Sequence, residues 1–320
     1  MNGRAMRRLR FLMALGFVLV SPRPAGAGEV QLVSAALFGR LNRTATFDVN
    51  ADGDISAADI VARVHRGVPR SEGCGGPAPP AGRQTIQVGT QQRQRQYVVR
   101  LPAEFDNTRP RPVVFGFHGF GGDAASQERT TELAANWPDA IGVYGEGLLR
   151  TFPTFPGAMG QGWQIFPGEF DDRDVLFFDA VLARLKAQYC INPRRVYATG
   201  FSNGAFFSHV LGCVRGAVIA AIGPRAGGVL NCPGRVRVAV VISHGTADNV
   251  VPFSFGTGAR NLWLRRNGCS AGAVPYAAGC EISRECASDR QVAFCQWPGT
   301  HTPDPKFPPN LFRFFREHAL

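Results

Sequence analysis

Apolar residues along this chain fall into three patterns, and each predicts a different kind of element. The first is a ten-residue run, Phe11 to Val20, preceded by Arg4, Arg7, Arg8 and Arg10 and followed by Ala25-Gly26-Ala27. A membrane span needs about 20 apolar residues, so this run is too short, and its flanks are those of a cleaved secretory signal peptide over residues 1–27. The second pattern is Val30, Val33, Leu37 and Leu41, recurring at helical spacing. The third begins at Gln84, where short β-type runs alternate with helical stretches: Thr85–Val88, Gln96–Leu101, Pro112–Phe117, Ile141–Tyr144, Arg195–Gly200, Ala217–Ile222, Val236–Ser243 and Gln291–Trp297. A helix between Asp174 and Tyr189 follows from Phe178, Val181, Leu182 and Leu185, with Asp171, Asp172 and Asp174 at the positive end of its dipole. A terminal helix is predicted over Leu311–Glu317. The first two β runs read as an antiparallel lead-in pair. The alternation after them predicts an α/β domain over 84–320, a mostly parallel sheet with helices on both faces.

Between the second and third patterns lie two further segments. Asp48-Val49-Asn50-Ala51-Asp52-Gly53-Asp54-Ile55-Ser56-Ala57-Ala58-Asp59 fits a twelve-residue EF-hand loop. Asp48, Asn50 and Asp52 supply oxygens at positions 1, 3 and 5, Gly53 allows the sharp turn, and Asp54 lends its carbonyl at position 7. Position 12 is Asp59, a shorter carboxylate than the usual Glu. Residues 28–67 are therefore read as a small helical Ca²⁺ module, the alternative being an Asx-rich turn without metal. With Ile60-Val61-Ala62 following, the loop resembles those of dockerins. A dockerin carries two loops and this chain has one, so the resemblance implies calcium binding without establishing a cohesin partner. Residues 68–83, rich in Gly and Pro, read as a linker.

Charge and cysteine content narrow the picture. The formal charge of +11 is carried almost wholly by arginine, and Arg4, Arg7, Arg8, Arg10 and Arg23 belong to the signal segment. The others are dispersed, with no basic stripe interleaved with aromatics, which argues against nucleic acid. Nor is any membrane contact expected after signal cleavage. Eight cysteines without a C-x-x-C pair, in an exported chain, imply disulfides. Cys190 with Cys213 would tie the helix after Gly200 to its approach segment. Cys269, Cys280, Cys286 and Cys295 would make two more bridges, leaving Cys74 with Cys232.

The candidate chemistry sits where strands end. Arg195 to Ala205 reads as a strand running into Gly200-Phe201-Ser202-Asn203-Gly204 and on into a helix, a tight turn that would expose the Ser202 hydroxyl. A serine needs a base to become a nucleophile, and histidine suits because its unperturbed pKa lies near 6.5. His65, His118, His209, His244 and His318 sit where structural or bracing roles are expected, which leaves His301, in the loop after the last strand. Asp248, after Val236–Ser243, is the expected carboxylate partner, with Asp171, Asp172 and Asp174 as weaker competitors. The order Ser, Asp, His is that of α/β-hydrolases. An oxyanion hole is also required, and the backbone N–H groups of Asn203 and Phe120 are expected to form it. No catalytic cofactor is needed. Trp163 is a candidate lining of the acyl pocket, core packing being the other reading.

Together, His118-Gly119-Phe120-Gly121-Gly122, Trp163, Asp174-Val175, the Ser202 motif and His244-Gly245-Thr246-Ala247-Asp248 resemble secreted esterases of the polyhydroxybutyrate depolymerase and feruloyl esterase type, similar to carbohydrate esterase family 1. The likeness covers about residues 84–320. It implies an α/β-hydrolase fold, a triad of Ser202, Asp248 and His301, and a secreted, extracellular or periplasmic serine esterase. Implied substrates are feruloyl or acetyl esters of plant cell-wall polysaccharide, with a polyhydroxyalkanoate as the competing polymer. A non-catalytic binding protein on a hydrolase fold is the reading from another class; it would require a broken triad or oxyanion turn. Two positions depart from the family's pattern: Thr300 and Ala205 stand where glycine is common.

Overall fold

The computed structural model describes residues 68–320 apart from 90–91, 153–154 and 271. Residues 1–27, read as a signal peptide, and the EF-hand-like loop with Asp48, Asn50, Asp52, Asp54 and Asp59 lie outside the described residues. The chain divides after Val68, and the unit Pro69–Leu320 carries everything below. Its strands are β1 (Gly82–Val88), β2 (Arg93–Arg100), β3 (Arg111–Phe117), β4 (Ile141–Gly145), β5 (Leu148–Phe152), β6 (Phe155–Gly162), β7 (Ile191–Phe201), β8 (Ala221–Arg225), β9 (Ala239–Gly245), β10 (Val274–Ala277), β11 (Cys280–Ser283) and β12 (Val292–Trp297). Its helices are α1 (Ala124–Thr131), α2 (Leu133–Asn136), α3 (Arg173–Gln188), α4 (Asn203–Arg215), α5 (Phe253–Asn267) and α6 (Phe307–Glu317).

Ten strands form one sheet in the order β1-β2-β4-β3-β7-β8-β9-β12-β11-β10. The six from β4 to β12 run parallel, and the outer pairs at both ends are antiparallel. Parallel strands covered on both faces are apolar throughout, and period-2 alternation sorts their side chains between two cores. Val113, Phe115, Phe117, Val196, Ala198, Val240 and Ile242 meet α3, α4 and α5 on one face. Val114, Tyr197, Ala239 and Val241 meet Leu133, Trp137, Leu311, Phe312 and Phe315 on the other. The expected sheet with helices on both faces is thus the observed one.

Several local expectations change. The run expected as a strand over 217–222 begins pairing only at Ala221, because Val218 and Ile219 N–H still bond to Arg215 O at the end of α4. Residues 69–81, read from composition as a linker, are stitched to the α3–β7 junction. Ser71 N–H donates to Ile191 O (3.0 Å), Ser71 Oγ to Tyr189 O (2.6 Å) and Gly73 N–H to Lys186 O (2.8 Å). A side chain on Gly73 would meet Tyr189 N at 2.5 Å, so glycine here serves close packing rather than freedom.

The disulfides correct the expected pairing in part. Cys190 bonds Cys74, and Cys213 bonds Cys232. Asn107 explains the first: it accepts Cys190 N–H at 2.6 Å and donates to Gly73 O and Gly76 O, which brings Cys74 to Cys190 and leaves Cys213 to another partner. The four late cysteines do make two bridges, Cys269–Cys286 and Cys280–Cys295.

Candidate active site

β7 runs straight into α4, and Ser202 joins them with φ 53° and ψ −117°, in the region that side chains rarely adopt. Its N–H donates to Arg225 O at 2.9 Å, fixing the turn to the neighbouring strand β8. A Cβ on Gly200 would lie 2.3 Å from Gly204 O, and one on Gly204 would lie 2.0 Å from Phe117 O. Both glycines are therefore demanded by contact. The strained serine projects its hydroxyl at the carboxyl ends of the parallel strands.

His301 and Asp248 arrive from the loops after β12 and β9, which pair in parallel in the sheet. His301 Nε2 lies 2.8 Å from Ser202 Oγ, and His301 Nδ1 lies 2.7 Å from Asp248 Oδ2. A carboxylate can only accept, so Nδ1 carries the proton and Nε2 is left to accept from the serine hydroxyl. The other carboxylate oxygen, Oδ1, accepts N–H from Val250 (3.0 Å) and Val251 (2.8 Å), which fixes its rotamer. The two loops are bonded to each other: Thr246 N–H donates to Trp297 O and Ala247 N–H to Gly299 O. Thr302 N–H closes onto Thr300 O, and Thr300 itself is exposed, so its side chain leaves the loop carrying His301 undisturbed.

Other candidates are engaged elsewhere. Asp174 is buried against Arg95 at 2.9 Å, and Asp172 accepts from Gln164 Nε2 and Gly168 N–H. His209 is buried in the core, accepts the Trp263 indole N–H, and is pushed by burial down to about 3. His318 Nδ1 bonds Phe314 O. His244 stands closer to the site: its Nε2 donates to Val251 O at 2.8 Å and lies 3.5 Å from Asp248 Oδ2, and burial holds it below its ordinary value, a neutral brace for the Asp248 turn.

The loop Gly119–Gly122 lies beside the serine. A Cβ on Gly119 would meet Ser202 Cβ at 3.4 Å, which puts Phe120 next to the elbow. Asn203 opens α4, and the first N–H groups of a helix have no intrahelical acceptor. Its side chain is a clasp: Oδ1 accepts Trp163 N–H (2.7 Å) and Nδ2 donates to Trp163 O (3.0 Å). Trp163 is fully buried, stacked on Phe207 with centroids 5.4 Å apart and donating its indole N–H to His118 O. Its ring lies in the core, with no exposed surface, Phe207 and Phe177 stacked on it and its polar edge bonded.

Two features were not foreseen in the sequence. The hairpin β5–β6 lies against the loop Gly119–Gly122 and the start of α4: Gly160 meets the Phe120 ring, Gly121 N–H donates to Gln161 O, and Gly162 meets Asn203. A small apolar cluster of Ile165, Phe206 and Val251, joined by Phe120 and Val250, is bonded to the segments that carry Ser202 and Asp248. Phe206 N–H donates to Ser202 O, and Val250 and Val251 hold Asp248. The signal was present in the pair Val250-Val251 directly after Asp248 and in Phe206 four residues after Ser202. A hydroxyl, an imidazole and a carboxylate bonded in this order can attack an acyl carbon. Among the described residues, no group of three or more His, Cys, Asp or Glu side chains could hold a metal ion.

No family model matches the chain. It is 30% identical over 266 residues to feruloyl esterase D of Neurospora crassa, covering 77% of this chain and 89% of that protein. It is 29% identical over 217 residues to a probable feruloyl esterase C of Aspergillus clavatus, covering 66% and 77%. Among solved structures, the acetyl xylan esterase from Aspergillus awamori superposes with a TM-score of 0.57 at 12% identity, covering 73% of this chain and 98% of that one, a likeness of fold.

Proposed function

Because the chain belongs to the feruloyl esterase family of carboxylic ester hydrolases, we propose that it is a secreted serine esterase that removes feruloyl or acetyl groups from plant cell-wall polysaccharide. The observation that carries this reading is the hydrogen-bonded chain Ser202–His301–Asp248, at 2.8 and 2.7 Å. Ser202 Oγ attacks the ester carbonyl carbon while His301 Nε2 takes its proton; Asp248 stabilises the imidazolium and keeps the proton on Nδ1. The carbonyl oxygen, now negative, accepts from the N–H groups of Asn203 and Phe120. Collapse breaks the ester C–O bond, and His301 hands its proton to the departing sugar oxygen. Water, deprotonated by His301, then attacks the acyl-enzyme and releases the acid.

Phe120 and Val250, half-buried and packed on the buried cluster of Ile165, Phe206 and Val251, are the proposed apolar surface for an aryl acyl group, and the relatives named for feruloyl substrates favour that group. Four disulfides suit an oxidising compartment outside the cell, in keeping with residues 1–27 as a signal peptide. Residues 28–67 are the proposed calcium module, holding Ca²⁺ through Asp48, Asn50, Asp52, the Asp54 carbonyl and Asp59. The test is turnover of methyl ferulate and acetylated xylan by the mature protein beside Ser202→Ala. Serine-dependent release of ferulate or acetate supports the reading, and release of hydroxybutyrate alone from a short oligomer overturns its substrate.

A further inference from the structure

His118 directly follows β3, at the start of the loop that reaches Ser202, and each ring nitrogen it carries is assigned a direction by its surroundings. Gly147 N–H donates to His118 Nε2 at 2.9 Å, so Nε2 is unprotonated. Nδ1 lies 2.7 Å from Gly119 O, a carbonyl, so Nδ1 carries the proton and donates. The ring is neutral, in one tautomer, and buried, and burial holds its pKa below the ordinary value. The same Gly119 carbonyl accepts Gly122 N–H at 3.0 Å, in a turn where Gly121 takes φ 75°. Two donors thus hold this oxygen.

The peptide that carries Gly119 C=O also carries Phe120 N–H, and in a planar trans peptide the two point in opposite directions. With the carbonyl drawn to the His118 ring, the N–H is turned the other way, while the Gly119 Cα faces Ser202. We propose that His118 is a positioning residue whose Nδ1–H sets the plane of the Gly119–Phe120 peptide and so aims the Phe120 N–H at the oxyanion. Gly121 N–H on Gln161 O (2.8 Å) and the Trp163 indole on His118 O (3.1 Å) anchor the loop and the strand end around that peptide. The inference rests on the oxyanion role proposed above for Phe120.

The two halves of the imidazole are separable by substitution. In His118→Asn the amide nitrogen takes the place of Nδ1 and can still donate to Gly119 O; in His118→Gln the amide oxygen takes the place of Nε2 and keeps only the Gly147 bond. Loss of one oxyanion donor typically lowers kcat about 100- to 1,000-fold. The expectation is that His118→Gln loses about 100-fold in kcat on methyl ferulate with KM within about threefold, whereas His118→Asn loses about threefold. Affinity for an aryl boronic acid, which mimics the tetrahedral adduct, should fall in step with kcat. Equal losses in the two variants, or a loss confined to KM, would overturn the proposal. If His118→Gln does not fold, His118→Asn decides alone: folded with kcat down about 100-fold, it contradicts. In the wild-type protein, imidazole nitrogen NMR should show the Nδ1–H form for His118, and an Nε2–H form or an imidazolium at neutral pH overturns the proposal whatever the variants do. Full turnover by Ser202→Ala would instead sink the serine mechanism itself, a different failure from serine-dependent turnover that is indifferent to His118.

Discussion

Asp248 commits one carboxylate oxygen to the N–H groups of Val250 and Val251 and the other to His301, so its two functions can be separated. In Asp248→Asn the amide oxygen can still hold the turn, but the amide nitrogen facing His301 would favour the wrong imidazole tautomer. The expected result is a fall in kcat of about 10,000-fold with little change in melting temperature. A fall in stability matching the loss of activity would contradict it. At the elbow, Gly204→Ala forces a methyl to within 2.0 Å of Phe117 O, a backbone atom in the sheet. Denaturant unfolding should show a loss of more than about 4 kcal/mol, outside the usual range for a single methyl. That Ser202, Asp248 and His301 would be brought together was legible because each sits in a short segment whose chemistry depends on neighbours in the chain: paired glycines, a strand end, a loop. Trp163 was not, since an aromatic in a loop reads equally as core or as pocket until its contacts are known. Its indole N–H on His118 O and its backbone clasp by Asn203 are long-range facts.

At the scale of elements, α4 and α5 meet through His209 and Trp263, and the strap 69–81 meets β7 through Cys74–Cys190. His209 is held neutral in the fold, its pKa pushed from 6.5 to about 3 by burial. The unfolded chain therefore binds the extra proton below about pH 6.5, so this contribution to stability is complete above that pH and is lost progressively as the pH falls towards 3. Melting temperature should decline from pH 6.5 to 4.5, and His209→Gln, which keeps an acceptor for Trp263, should flatten the decline. An unchanged slope would argue that other buried groups govern it. The strap's disulfide spans 116 residues, the longest separation of the four, and loop-closure entropy makes it the most stabilising. Replacing both Cys74 and Cys190 with serine should lower unfolding free energy by roughly 2–5 kcal/mol while kcat on methyl ferulate stays unchanged. The strap itself was hidden in the sequence because glycines required by packing have the same composition as glycines required by flexibility. The hairpin β5–β6 was hidden for a related reason: Leu148 to Gly162 mixes Phe, Pro, Thr and Gly without clean alternation, and its neighbours, Phe120, Gly121 and Asn203, are distant in sequence.

For the unit Pro69–Leu320, the six parallel strands bring three loops, each distant in sequence, to their carboxyl ends, and the core strands were readable because burial on both faces makes them apolar throughout. The proposed calcium module is a separate chemistry in the same chain. Titration calorimetry should find one Ca²⁺ bound, abolished by Asp52→Ala, while a chelator leaves ester turnover unchanged; loss of turnover on chelation would join the two units functionally. An acyl-enzyme on Ser202 formed from a hydroxycinnamoyl ester is checked by ferulate release from methyl ferulate, measured for the mature protein and for Ser202→Ala under the same conditions. Steady turnover is expected from the first and a loss of about 10,000-fold or more in the second. Turnover by Ser202→Ala at the wild-type rate would contradict it.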